Sequence, residues 1–309
     1  MLLSSRPLVI RTFLITFHLA ITHIQAPAMM KQKKRRQSDN MSVKSSDRDI
    51  ATLRLWQQKA HSDLGGVNPD QSVTLAGYNL FSELVGNLSL AACFHLYVKK
   101  SLPSPQVERL LSAIVTATVY PDIRIWPNRA VAFCASAGTG NAAGVSSGML
   151  GMEGLMFGGD CVAESFRFLH DLEAAELNGI SVESQLEKAK AGKQKIPGFG
   201  RPIVKGDERL KPILKVAEEV GLADGSFLSF GRKVEAVLDK KFGIRFNVAA
   251  MIACLLGDMG YSYTEVRAFG TFFPMISFLG VFHEHSRLDA KPVFPLAISD
   301  IEYLGEKAS

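Results

Sequence analysis

The amino-acid sequence predicts an all-α protein, and three observations carry that prediction. Apolar residues recur three and four positions apart through most of the chain after Ile50. Helix ends are marked by an N-capping serine before proline and by well-placed glycines. Alternating strand patterns are nearly absent, and no internal repeat interrupts the helical reading.

The elements follow in order. Ser104 is placed as an N-cap with Pro105 at the first helical position, and Val107, Leu110, Leu111, Ile114 and Val115 recur behind it at helical spacing. Ile213, Leu214, Ala217 and Val220 repeat the pattern, with Gly221 placed to stop that helix. Phe227 to Phe242 reads as a helix ending at Gly243, and Val248 to Met259 as one ending at Gly260. Thr264 to His285 reads as one long helix, apolar nearly all round, buried in a core or at a subunit interface and kinked at Pro274.

The 309 residues can bury one large core or two modest ones, and 47% hydrophobic against 21% charged is the balance of a folded globular protein. The formal charge is +5, but Lys31, Lys33, Lys34, Arg35 and Arg36 form one run, and without it the body is about neutral. The basic pI therefore gives no argument for a nucleic-acid partner. Leu8 to Ile24 is apolar but interrupted by Arg11, His18 and His23, a poor membrane span, so no membrane partner is expected. Residues 1–40 read as a disordered leader or tail, and Met41 as an alternative translation start. Cys93, Cys134, Cys161 and Cys254 are widely spaced in apolar surroundings with no C-x-x-C pair, which fits free thiols in a reducing cytoplasm. His283 and His285 lie two apart on a helix and diverge, while His95 and His170 stand alone, so no metal is expected. Eight glycines fall between Gly138 and Gly159 among Ala, Ser and Met. That density reads as a close-packed helix pair across a dimer interface rather than a phosphate loop, because no Walker or dinucleotide pattern accompanies it.

Four blocks carry a resemblance. Ile196-Pro197-Gly198-Phe199-Gly200-Arg201, running on to Lys205 and Asp207-Glu208-Arg209, is similar to the P-G-F-G-H-x-V-x-K/R…D-P-R loop of citrate synthases and citryl-CoA lyases. Gly77-Tyr78-Asn79-Leu80 with Glu83-Leu84-Val85-Gly86 resembles the family's early G-Y-x-L-x-E-L-I-G segment. Leu155 to Asp160 stands where the family has P-L-H-G-G-A, and Asp300 to Gly305 resembles the short ending of citryl-CoA lyases. The blocks keep family order over roughly residues 70 to 305.

The resemblance implies a citrate-synthase-like two-domain helical fold and an obligate-type homodimer. The larger domain would comprise 41–160 plus 268–309 and the smaller 161–267. It also implies carbon–carbon bond formation or cleavage on an acyl-CoA, with a coenzyme A thioester as substrate or ligand. The family's acid–base groups, however, are replaced. Phe157 stands for the histidine of H-G-G-A, Arg201 for that of G-F-G-H, and Ala249 for the carboxylate base of N-V-D. Tyr120-Pro121-Asp122 lacks the earlier histidine, Pro274 and Lys291 replace arginines, and only Arg209 of D-P-R persists. Pro197, Gly198, Phe199, Gly200 and Lys205 are the residues expected to face CoA, Gly198 to Gly200 by offering backbone amides. Arg201, Arg209 and Asp160 are the candidates for replacement chemistry: Arg201 as an electrostatic stabiliser, Asp160 as a base or as the cap of a helix from Cys161 to Leu172. Two functions stay open. One is a divergent acyl-CoA enzyme with an atypical, less charged acceptor. The other is a catalytically inactive pseudoenzyme that regulates or pairs with an active paralogue.

Overall fold

A computed structural model describes residues 47–56, 61–154, 158–201, 206–288, 299 and 302–306. Phe157 and Lys205 lie outside the described residues, as do the leader over 1–40, Lys291 and the start of the block at Asp300. The chain divides into two units, residues 1–61 and 62–309. The first contributes one described helix, α1 (Asp47–Trp56).

The second unit opens with an element that the helical reading did not foresee. A three-stranded antiparallel sheet is built from β1 (Gly65–Val67), β2 (Val73–Leu75) and β3 (Tyr78–Asn79), in that spatial order. Its second turn places Ala76 and Gly77 both at positive φ (50° and 90°), the geometry of a two-residue hairpin. A π-type turn over Leu80–Leu84 follows, and the Asn79 side chain accepts from the amides of Phe81 and Ser82, both at 3.0 Å. Glu83 reaches back to the Asn79 amide. The Asn79 and Glu83 of the family-like early block are thus reciprocal caps that close a turn. Leu75 and Leu84 then pack with Leu96 in a small apolar cluster.

Eleven helices follow in the second unit among the described residues: α2 (Leu90–Lys99), α3 (Pro105–Thr118), α4 (Trp126–Ser136), α5 (Asn141–Gly151), α6 (Gly159–Leu177), α7 (Val182–Ala191), α8 (Leu210–Glu219), α9 (Ser226–Phe242), α10 (Val248–Asp258), α11 (Tyr263–Phe272) and α12 (Met275–His285). Local chemistry sets their ends. Ser104 caps α3 through the Val107 amide at 3.3 Å, with Pro105 just inside. Gly221, Gly243 and Gly260 take positive φ beyond α8, α9 and α10, as their placement in the sequence required. The main core gathers α2, α3 and α6 to α11, and α10 is its axis: every residue from Ala249 to Leu256 is buried.

Two expectations are corrected, the single long helix and the start of α6, and a third is given its partners. The long helix over 264–285 is two helices, because Pro274 has no amide to continue the ladder and instead starts α12. Neither half is buried all round; Leu279, for one, is exposed. The glycine-rich stretch is close-packed, and Gly144 and Gly148 have their partners in the same chain. A Cβ at Gly144 would fall 2.2 Å from the Phe282 ring, and one at Gly148 would fall 2.6 Å from Val131 and 2.9 Å from Phe278. These contacts join α5 to α4 and α12 in a second apolar cluster. Finally, α6 begins at Gly159 rather than Cys161, with Gly158 (φ 128°) as its N-cap. Asp160 lies inside the first turn and makes no capping bond.

His95 is more than an ordinary helix residue. It is buried on α2, and its Nδ1 lies 2.6 Å from the Tyr261 hydroxyl, tying α2 to the turn before α11. Burial, aided by the nearby Lys99 charge, holds its imidazole below the usual pKa, while Glu265 opposes both. A histidine whose folded-state pKa is depressed contributes stability above its unfolded value, about 6.5, which is lost as pH falls through the folded value. Unfolding midpoints in urea should therefore drop as pH is lowered below about 6.5, and His95→Gln should flatten that limb. An unchanged slope in the variant would assign the pH dependence elsewhere.

Candidate functional site

The P-G-F-G loop follows α7 and runs between α6 and α10. Gly198 (φ 82°) must be glycine twice over, because a Cβ there would lie 2.6 Å from Ser165 Oγ on α6 and 2.7 Å from the Ala250 Cβ on α10. Phe199 is buried with its ring centroid 5.2 Å from that of Phe246. The Asn247 amide donates to the Gly198 carbonyl at 2.9 Å, and the Asn247 side chain donates to the Gly200 carbonyl at 3.0 Å. The loop's own amides point inward as well. Phe199 N–H donates to Ile196 O at 3.3 Å, and Gly200 N–H to Arg245 O at 2.7 Å. The expectation that Gly198 to Gly200 offers a row of amides to a ligand is thereby corrected. Two of those amides brace the loop against its neighbours, and Pro197 is half-buried at its entrance.

Asp207 is the residue that assembles the site, and the sequence reading did not single it out. Its carboxylate is buried, accepts from Arg209 Nε at 2.8 Å and Nη2 at 2.7 Å, and accepts from the Val248 amide at 2.8 Å. That last bond crosses 41 residues and docks the loop onto the N-terminus of α10. Burial alone would raise the Asp207 pKa, but the Arg209 fork and the amides of Val248 and Arg209 outweigh it and hold the carboxyl below its ordinary value. Arg201 Nη1 lies 3.9 Å from the same carboxylate, donates to Gly206 O at 3.3 Å, and pairs with Glu208. Burial works against the Arg201 cation, yet Glu208, Asp207 and the Tyr120 phenol raise its pKa above the usual value.

Arg201, Arg209 and the Val248 amide therefore converge on one carboxylate, with Ala249 the next residue along α10. Ala249, which the resemblance aligns with the carboxylate base, presents a methyl group buried in the first turn of α10, and its amide donates to Asn247 Oδ1 at 2.9 Å. The Tyr120–Asp122 segment is pinned from behind, because the buried Asn128 amide donates to Tyr120 O at 2.6 Å and Asp122 O at 3.0 Å. Asp122 itself is engaged by Arg124.

Asp160 is engaged in an ion pair. Arg267 Nε donates to it at 2.7 Å, pairing α11 with the start of α6. Arg267 also lines a cleft of about 500 Å³ between the end of α5 and α11, with Glu153 and Tyr263 among its other walls. A smaller hollow of about 250 Å³ lies against Phe246, between α8, α9 and α10, with Leu210, Leu214 and Met251 in its walls. Cys161 is no nucleophile, because burial and the adjacent Asp160 push its thiol up to about 11.

Comparison with known proteins places this arrangement. The family model of the citrate synthase C-terminal domain matches residues 72–276. Among solved structures, the chain is similar to the citryl-CoA lyase of Hydrogenobacter thermophilus, with a TM-score of 0.71 and 23% identity over 81% of this chain and 96% of that one. It is also similar to an ATP citrate lyase of Methanosaeta concilii in complex with (3S)-citryl-CoA, with a TM-score of 0.69 and 16% identity over 93% of this chain and 47% of that one. A citrate synthase of Thermotoga maritima aligns with a TM-score of 0.57 and 19% identity, over 72% of this chain and 59% of that one. The chain thus spans about half the length of the ATP citrate lyase. No curated protein sequence matches it.

Proposed function

Because the chain belongs to the citrate synthase family, matched across residues 72–276, we propose that it binds an acyl-CoA thioester beside the P-G-F-G loop and lacks the family's acid–base chemistry. One observation supports this reading above the others. The loop is braced on α6 and α10 by Gly198, Asn247 and Asp207, while the base position beside it is the methyl group of Ala249. Structural neighbours include a citryl-CoA complex, which supports a CoA thioester as the ligand class. Lys205 is the basic residue that the resemblance assigns to the CoA phosphates in this reading. Phe199, Phe246 and Ala249 give the region an apolar character suited to a less charged partner molecule than a keto diacid.

A divergent carbon–carbon bond-forming or bond-cleaving reaction is the second reading, and Arg201 is what favours it. A guanidinium can stabilise a developing oxyanion without transferring a proton. Against it, Asp160 and Asp207 are both held in ion pairs with arginines. Under the first reading the protein is a cytoplasmic homodimer with a large domain of 41–160 plus 268–309 and a small domain of 161–267. It would regulate or accompany an active paralogue.

Calorimetric titration with acetyl-CoA and propionyl-CoA tests the proposal. Saturable heats with micromolar dissociation constants are expected, with a rise in unfolding temperature that grows with ligand concentration. No heat and no stabilisation from any CoA ester would remove the ligand-binding reading and leave a scaffold.

A further inference from the structure

The charge cluster beside the loop closes on itself. Arg201 and Arg209 supply two positive charges, and Asp207 and Glu208 supply two negative ones, so the four side chains sum to zero. The two carboxylates are held differently. Asp207 has a side chain with 0% exposure and four donors within hydrogen-bond reach, counting the Arg209 amide at 3.2 Å, so Arg209 is permanently neutralised. Glu208 is 58% exposed and is held through the Arg201 guanidinium, itself 26% exposed. A surface pair of this kind is weak and exchangeable. Glu208 is also a departure, because the D-P-R pattern has proline at that place. Its introduction coincides with Arg201 in place of histidine, and each new residue is the other's partner.

We propose that Glu208 is a specificity-determining residue: its carboxylate sits on Arg201 where the acid group of a ligand would otherwise sit, so the site selects acyl groups without a terminal carboxylate. The proposal rests on the acyl-CoA reading above. An acidic acyl group must displace Glu208 and then place its charge near Asp207, whose Oδ1 is only 3.9 Å from the Arg201 nitrogen. A neutral acyl group leaves the four-residue cluster intact. Truncating one partner of a charge pair changes binding of a competing anion by about tenfold or more.

The test is calorimetric titration of propionyl-CoA and succinyl-CoA, which differ in the terminal carboxylate, against the parent, E208Q and the double variant R201Q/E208Q. Circular dichroism confirms folding of each. The parent should bind propionyl-CoA about tenfold more tightly than succinyl-CoA. E208Q should improve succinyl-CoA binding about tenfold with propionyl-CoA within twofold of the parent, and the double variant should lose the gain. If both esters bind and E208Q leaves their ratio unmoved, or weakens both alike, the proposal is wrong and the acyl-CoA reading stands. If the parent binds neither ester, both fall together.

Discussion

Replacing Asp207 with alanine should lower the free energy of unfolding by about 2–4 kcal/mol and weaken CoA-ester binding at least tenfold. The size follows from what the carboxylate holds. Its side chain is fully buried, and its removal leaves the Val248 amide without an acceptor and the Arg209 guanidinium without its counter-ion. Asp207→Asn keeps an oxygen for Val248 but not the charge, so its loss should be intermediate. The parent's pH profile carries an independent signature. A carboxyl whose folded-state pKa is depressed contributes in full above its unfolded value near 3.9, and that contribution disappears as pH falls through the lower folded value. Chemical denaturation at pH 7 and at pH 3 should show a smaller difference for Asp207→Asn than for the parent. A D207A protein within 0.5 kcal/mol of the parent would mean that the loop is anchored by something else.

The second large effect is expected at the crossing of α6 and α11. A Cβ on Gly270 would lie 2.7 Å from the Gly159 Cα, and one on Gly159 would lie 2.7 Å from the Thr271 amide nitrogen. Both contacts are with backbone, which cannot rotate aside, so Gly270→Ala must separate two helices. A loss of about 3 kcal/mol or more is expected, at the upper end of overpacking effects. Gly144→Ala gives the informative contrast. Its Cβ would meet the Phe282 ring at 2.2 Å, nominally closer, but a side chain at the edge of the second cluster can shift. Urea midpoints should therefore fall further for Gly270→Ala than for Gly144→Ala. Equal losses would show that the nature of the obstructing atom does not set the energy.

How far the sequence discloses this molecule depends on the range of the forces involved. Helix ends set by local chemistry are legible: Ser104-Pro105 opens α3, and Gly221, Gly243 and Gly260 close their helices as expected. The hairpin is not, because strands of two or three residues are too short to show alternation, and Ala76-Gly77 is not a strong turn pair. Pro274 announces a disturbance, but whether it kinks or splits a helix is decided by packing on both sides. The glycines announce close approach without naming the partner; Phe282, Phe278 and Thr271 supply it from far along the chain. At the site, resemblance locates positions 201, 209 and 249. Only the fold shows Asp207 joining the two arginines to α10, through a bond donated by the Val248 amide that no spacing predicts. Asp160 illustrates the reverse case, a carboxylate eligible by position whose ion-pair partner, Arg267, lies 107 residues away and is named only by the fold.

In the proposed reading the family scaffold is kept with a CoA-facing loop but without a working base. Proton NMR of acetyl-CoA with the protein in deuterated water examines both halves in one sample. Saturation transferred from the protein to the CoA resonances is expected, with the acetyl methyl signal decaying no faster than in a protein-free control. Protein-dependent deuteration of that methyl group would contradict the account, because it would require a base that Ala249 cannot supply.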